Sequence, residues 1–342
     1  MSTSTAVARL EVRALRVTYP ARGGLLRGAA DISAVDRLSL TVTAGRTLGL
    51  VGESGCGKST LARTIVGLRR PAGGEIWYGG ERVDDADAAR RRRLTAEIQM
   101  VYQDPYSSLN PRKKVAFIVS EGWRVHRGLV PREQWPARTA ELLERVGLAA
   151  ELADRYPHQL SGGQRQRVGI ARALAMSPRI VVCDEPVSAL DVSIQAQTLN
   201  LLADLRESLG LGYLFIAHDL SVVRHISDDL AVMYLGRIVE TGPAAVVYDE
   251  PAHPYTRALI SAAPVPRPWA APPRERIVLT GEVPSPASPP SGCRFRTRCR
   301  LAQPRCAETE PELRMVAGRE VACHYAETSL SGAVSSGTGG PR

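Results

Sequence analysis

One stretch limits this chain more than any other: Gly52, Glu53, Ser54, Gly55, Cys56, Gly57, Lys58, Ser59 and Thr60 in unbroken order. It follows a β-type run, Thr47–Val51, and opens a helical pattern at Leu61–Gly67. Strand, glycine loop and helix in that order form the setting in which such a loop cradles phosphates. The glycines let the backbone wrap closely and aim successive N–H groups at phosphate oxygens. The helix N-terminus adds partial positive charge at the same point. Lys58 is then placed to reach the outer phosphates of a nucleotide, and the Ser59 hydroxyl to hold Mg²⁺. Of 44 basic residues only three are lysine (Lys58, Lys113 and Lys114), so arginine is the default cation here. A lysine at 58 answers a need for a compact ammonium, not a planar fork.

The 342 residues allow one large or two ordinary domains with ample core. No apolar run reaches the roughly 18–20 residues that span a bilayer. Met1–Ala8 is a short polar leader without a signal segment, so the chain is expected to stay in the cytoplasm. The formal charge of +9 is compatible with nucleic acid or an anionic membrane surface. Arginine is spread along the sequence, however, with one short run at Arg90–Arg93, and a solvated surface is the plainer reading.

Leu10–Tyr19 and Asp36–Thr43 alternate like antiparallel strands, with a Gly-rich connection at Arg22–Ala29. Strands are also expected at Glu75–Tyr78, Ile98–Tyr102, Ile180–Cys183 and Tyr213–Ala217, with a hairpin of Leu230–Tyr234 and Arg237–Glu240 around Gly236. Helices are expected at Pro136–Val146, at Ser161–Met176 behind the capping box Ser161 to Gln164, and at Ile194–Leu209. Wholly apolar strands alternating with helices predict an α/β fold with a largely parallel sheet covered on both faces. Past His253 the character changes: Ala263–Pro290 holds nine prolines, too many for a sheet core. A boundary is placed near Glu250, and Thr328–Arg342, rich in Ser and Gly, is expected to be disordered.

Asp184 and Glu185 end a buried strand. An acidic pair there suits a Mg²⁺ site beside the phosphate loop, with Asp184 orienting the metal and Glu185 polarising the attacking water. A helix cap is the alternative. Gln103 and His218 end apolar strands too, and in an open α/β sheet such ends converge on one crevice. Gln103 is read as sensing Mg²⁺ and the water, and His218 as touching the γ-phosphate. Either alone fits a satisfied polar residue at a strand end. Leu160, Ser161, Gly162, Gly163 and Gln164 open a helix whose first turn leaves its N–H groups uncovered, a second anion site or an ordinary cap.

Gly52–Thr60, Gln103, Leu160–Gln164, Ile180–Glu185, the run Ser188, Ala189, Leu190 and Asp191, and His218 resemble, in order and spacing, the nucleotide-binding subunit of an ABC transporter. The resemblance covers about residues 9–250. It implies an ABC ATPase core, an antiparallel β subdomain, a helical subdomain at about 104–177, and a head-to-tail dimer. In that dimer the Ser161 helix of one subunit closes over the γ-phosphate held by Lys58 of the other. Tyr19 sits where such proteins stack an aromatic on adenine, and Ser188–Asp191 where they communicate across the dimer. A finer resemblance rests on Asp104–Pro111, His253–Leu259 and Gly292–Cys299. It points to ATP-binding subunits of dipeptide and oligopeptide importers, a group that includes nickel importers, and to the F-type member of a heterodimeric pair. It implies a peripheral protein on the cytoplasmic face of the inner membrane. The implied partners are a second ATPase subunit, two transmembrane permeases and an extracytoplasmic substrate-binding protein, with no nucleic acid. The rival class is a soluble ABC ATPase acting on nucleic acid or ribosomes; such chains usually carry two cassettes or a long coiled coil, neither of which is present here.

Four of six cysteines crowd the chain's end: Cys293, Cys299, Cys306 and Cys323. In a reducing compartment that clustering reads first as a metal site. The extension at 251–327 is therefore expected to hold an iron–sulfur cluster of the [4Fe–4S] type, with Zn²⁺ or unligated buried thiols as alternatives. Arg294, Arg296, Arg298 and Arg300 flank the first two thiols and are read as offsetting thiolate charge.

Overall fold

The computed structural model describes residues 8–20, 31–188, 190–263 and 276–330. The polar leader up to residue 7, the Gly-rich connection at 22–29, Ala189, prolines within 264–275 and the tail from 331 lie outside the described residues.

Twelve strands appear among the described residues. In chain order they are β1 (Arg9–Tyr19), β2 (Ile32–Thr43), β3 (Thr47–Val51), β4 (Gly73–Tyr78), β5 (Glu81–Arg82), β6 (Ile98–Val101), β7 (Ile180–Asp184), β8 (Gly212–Ala217), β9 (Asp229–Tyr234), β10 (Arg237–Pro243), β11 (Arg314–Val316) and β12 (Arg319–Val321). They form an antiparallel sheet in the order β2-β1-β4-β5 and an eight-stranded sheet in the order β11-β12-β10-β9-β3-β8-β7-β6.

The five strands β9-β3-β8-β7-β6 run parallel, and β3, β7 and β8 are buried along their whole length. Successive side chains of a strand face opposite ways. Ile180 and Val182 accordingly join the core under the antiparallel sheet, while Val181 and Cys183 join the core under the helices. A strand clad on both faces needs an apolar residue at every position, which is why these runs are continuous in sequence. The helix Lys58–Ile65 packs on the antiparallel side, and the helices Val115–Val119, Trp135–Arg145 and Gly162–Leu174 on the other.

The C-terminal extension is built into this core. Beyond the helix Pro254–Ala262, its hairpin β11–β12 adds to the main sheet, with Glu240 opposite Val321 and Thr241 opposite Glu320. The last described helix, Ala326–Leu330, orders Thr328, Ser329 and Leu330, the start of the tail expected to be disordered; the rest of that tail lies outside the described residues. Buried Ala326 and Ser329 anchor it, and the Arg257 guanidinium donates to the Ser329 carbonyl. The helix Ala88–Glu97, which contains the Arg90–Arg93 run, was not expected. It buries only Leu94, too little for apolar periodicity to reveal.

Candidate nucleotide-binding site

The parallel strands end in register. Val51 of β3 pairs with Ala217 of β8, Asp184 of β7 with Ile216 of β8, and Val101 of β6 with Cys183 of β7. The segments that follow therefore emerge side by side at one edge. They carry the phosphate loop, Gln103, Glu185 and His218, as the sequence predicts.

Close backbone approach holds the phosphate loop. A Cβ at Gly57, where φ is 109°, would lie 2.1 Å from the Ala34 carbonyl oxygen, and a Cβ at Gly52 2.2 Å from that of Met233. Neither position accepts a side chain. Gly236 donates to the Cys56 carbonyl at 2.9 Å, pinning the loop to the turn between β9 and β10. Ser54 and Gly55 stand exposed at the tip. Lys58 opens its helix and is 5% exposed; its Nζ donates to the carbonyls of Gly52 at 2.6 Å and Glu53 at 3.1 Å. The ammonium thus lies across the mouth of the loop. Thr60 shares a hydrogen bond of 3.1 Å with the Tyr19 hydroxyl. Tyr19 has Arg69 over one ring face, with the guanidinium 3.5 Å from the centroid, so at most the other face is free for a base.

Beside the loop, the Ser59 hydroxyl donates to Asp184 Oδ1 at 3.0 Å. Burial pushes the Asp184 carboxyl up, opposed by the Ser59 hydrogen bond and reinforced by the neighbouring Glu185 charge. A divalent cation would relieve that buried charge. Hydroxyl and carboxylate oxygens suit Mg²⁺, which keeps most of its waters. Glu185 accepts from Gln103 Nε2 at 3.0 Å, and its Oε2 lies 3.4 Å from His218 Nδ1. Three strand ends therefore meet on one carboxylate. Glu185 also has a φ of 48°, a left-handed backbone unusual for a residue with a side chain. Such strain, on the order of 1–3 kcal/mol, collects at functional sites. Spacing alone carries no signal of it.

Ser161 caps the helix Gly162–Leu174 as a capping box: its Oγ accepts from the Gln164 N–H at 3.2 Å, and Gln164 Oε1 from the Ser161 N–H at 2.9 Å. This helix packs beside β6, three strand spacings or about 14 Å from β3. Leu160 is buried beneath it. A Cβ on Gly163 would lie 2.7 Å from Ile194, in the first turn of the helix Val192–Leu209 that follows Ser188–Asp191. Ser188 donates to the Glu185 carbonyl at 3.1 Å, linking that segment to the acidic pair.

Two family models match the chain. One is described as ABC transporter and covers residues 35–188; the other, described as oligopeptide/dipeptide transporter C-terminal region, covers 239–306. The oligopeptide transport ATP-binding protein AppF of Bacillus subtilis is 51% identical over 318 residues, covering 92% of this chain and 96% of AppF. The di/tripeptide transport ATP-binding protein DppF of Pseudomonas aeruginosa is 47% identical, covering 94% of this chain and 98% of DppF. The chain is an ATP-binding subunit of the oligopeptide/dipeptide ABC transporter family. Its core superposes on the ATP-binding cassette MJ0796, solved as a dimer bound to ADP and phosphate, with a TM-score of 0.61 at 29% identity over 69% of this chain and 98% of that one. The ABC ATPase fold and ATPase activity follow from this membership. No helix among the described residues is long and apolar enough to cross a membrane.

The cysteine extension of this ATPase folds against the same site. Cys293, Cys299, Cys306 and Cys323 lie within electrostatic range of one another, and Cys293 N–H donates to the Cys306 carbonyl at 2.8 Å. Burial pushes Cys299 up to about 11 and Cys323 up to about 12, so both favour the neutral thiol. Among the described residues no group of three or more His, Cys, Asp or Glu side chains is arranged to hold a metal. The arginines divide. Arg296 and Arg300 favour the thiolates of Cys293 and Cys299 respectively. Arg294 and Arg298 are instead committed to the part-buried carboxylates of Asp36 and Glu53, which lie within reach.

Proposed function

We propose that this chain powers the import of di- and oligopeptides from the cytoplasmic face of the inner membrane, as one ATPase of a pair bound to two permeases. An extracytoplasmic binding protein would deliver the cargo. One observation carries the reading: Lys58, Ser59, Gln103, Asp184, Glu185 and His218 converge at one sheet edge, in a chain whose relatives over nine-tenths of its length are named for peptide transport.

The loop Gly52–Thr60 takes the ATP phosphates, and Lys58 exchanges its loop carbonyls for phosphate oxygens. Ser59, Asp184 and Gln103 hold Mg²⁺, which when bound neutralises phosphate charge. Glu185 orients and polarises the attacking water, with Gln103 and His218 fixing its carboxylate; His218 also faces the γ-phosphate. Tyr19 offers its free face to adenine. The Ser161 helix, packed on β6 three strands away from β3, closes over the partner subunit's nucleotide. Leu160–Gln164 and Ser188–Asp191 then form the contact between subunits. The 51% identity to AppF supports an F-type subunit; a heterodimer would follow from such a pairing. Competition during uptake tests the cargo. Unlabelled tripeptide should displace labelled peptide entering vesicles that carry the assembled complex, and nickel ion should not; the reverse order would assign a metal importer.

The extension would hold a [4Fe–4S] cluster on Cys293, Cys299, Cys306 and Cys323, with Zn²⁺ the alternative. Four thiols within electrostatic range of one another, in a segment poor in large apolar residues, support a metal brace, although among the described residues no three of them are arranged to hold one. Anaerobically purified protein should carry about four irons and four sulfides per chain. Stoichiometric zinc would reject the cluster and keep the site, whereas four freely alkylated thiols and no metal would reject both.

A further inference from the structure

Every polar group of Glu53, the second residue of the phosphate loop, is held by the rest of the chain. Its N–H donates to the Tyr255 hydroxyl at 2.8 Å, and its carbonyl accepts from Lys58 Nζ at 3.1 Å. Its carboxylate takes a two-pronged grip from Arg298, Nη1 to Oε2 at 2.7 Å and Nη2 to Oε1 at 3.1 Å. The Arg298 side chain is 7% exposed and that of Glu53 25%. Arg298 sits next to Cys299, and its own N–H donates to the Phe295 carbonyl at 3.0 Å. Phe295 packs on Tyr255, with ring centroids 5.4 Å apart. The extension therefore reaches the phosphate loop twice, through a tyrosine and through an arginine.

A carboxylate inside an anion-binding loop opposes the ligand unless it is neutralised. A planar fork bound at both oxygens does this and fixes the side chain as well. The same residue's carbonyl positions Lys58. We infer that Arg298 is a positioning residue for ATP: acting through Glu53, it cancels a charge that would repel the phosphates and holds the backbone that aims Lys58. The order of the cysteine-bearing loop is thereby transmitted to nucleotide affinity, and by linkage ATP stabilises that loop. The inference rests on the phosphate-loop reading of the site.

The test is ATP titration of the full-length chain, with thermal melting to monitor folding. Arg298→Ala should weaken ATP binding roughly 10- to 100-fold, the scale of a charge-assisted pair. Arg298→Gln serves if the alanine variant melts early. In a Glu53→Gln background the same change should cost less than about threefold, because no carboxylate remains to be neutralised. Wild-type affinity in Arg298→Ala, or an equal loss in both backgrounds, would overturn the inference. Lys58→Ala is the control for the site itself. Loss of binding there with none in Arg298→Ala sinks only the role of Arg298, whereas retained binding in Lys58→Ala would sink both.

Discussion

Glu185→Gln should bind ATP as the wild type does and lose roughly 10²–10⁴-fold in turnover, the scale of a lost general base. The phosphate cradle is untouched by this change: Gly52, Gly57 and Lys58 hold their places through backbone packing and the Lys58 bonds to loop carbonyls. What disappears is the carboxylate on which Gln103 and His218 converge. An amide of the same shape fills that place without the negative charge proposed to polarise the attacking water. The strained φ of 48° at this residue belongs to the backbone and persists in the variant, so folding should be unaffected. Turnover in the assembled complex separates the outcomes. Near wild-type hydrolysis would reassign the role of Glu185, and weakened ATP affinity would mean that it serves binding instead.

Ser161→Arg should abolish the rise in ATPase activity that the chain shows when its partners are added. The purified subunit alone is expected to hydrolyse ATP slowly, since its own Ser161 helix packs on β6, three strand spacings or about 14 Å from its own phosphate-loop strand β3. Arginine at 161 removes the oxygen that caps the Gln164 N–H and fills the space in front of two glycines. Loss of the cap costs on the order of 1 kcal/mol, which the buried body of that helix can absorb. The block on a neighbour's phosphates is the larger effect. Intrinsic ATP affinity should stay unchanged, because residue 161 is proposed to serve the partner's nucleotide. Full activity from a strictly monomeric preparation would contradict a site shared between two subunits.

The parts of the site that lie in one stretch of chain were readable from sequence, and so were those at strand ends. Gly52–Thr60 is contiguous, and Gln103, Asp184, Glu185 and His218 each follow an apolar run whose parallel neighbours fix where they emerge. The capping box at Ser161 was readable for the same reason, all its atoms lying within one turn. What stayed hidden depends on long-range packing. Arg298 and Glu53 are 245 residues apart, and no local pattern distinguishes that arginine from Arg296 or Arg300 beside it. Tyr255 lies in a helix whose sequence carries family resemblance but no hint of the hydroxyl's partner. The union of β11–β12 with the main sheet was equally silent, since three-residue strands show no usable alternation. Glu185 continues the ladder with an N–H bond of 3.0 Å to the Ile216 carbonyl and then turns left-handed, a local backbone conformation that residue spacing does not show.

The central claim is that hydrolysis at this site drives peptides across a membrane. Its most direct measurement is accumulation of a labelled short peptide in sealed vesicles that carry this chain, its partner ATPase and two permeases, with the loaded binding protein on the opposite side from the nucleotide. Accumulation should require ATP on the side of this chain, stop with ADP, and fall with Glu185→Gln in proportion to lost turnover. Uptake that proceeds equally with ADP, or that survives Glu185→Gln while hydrolysis is lost, would contradict it.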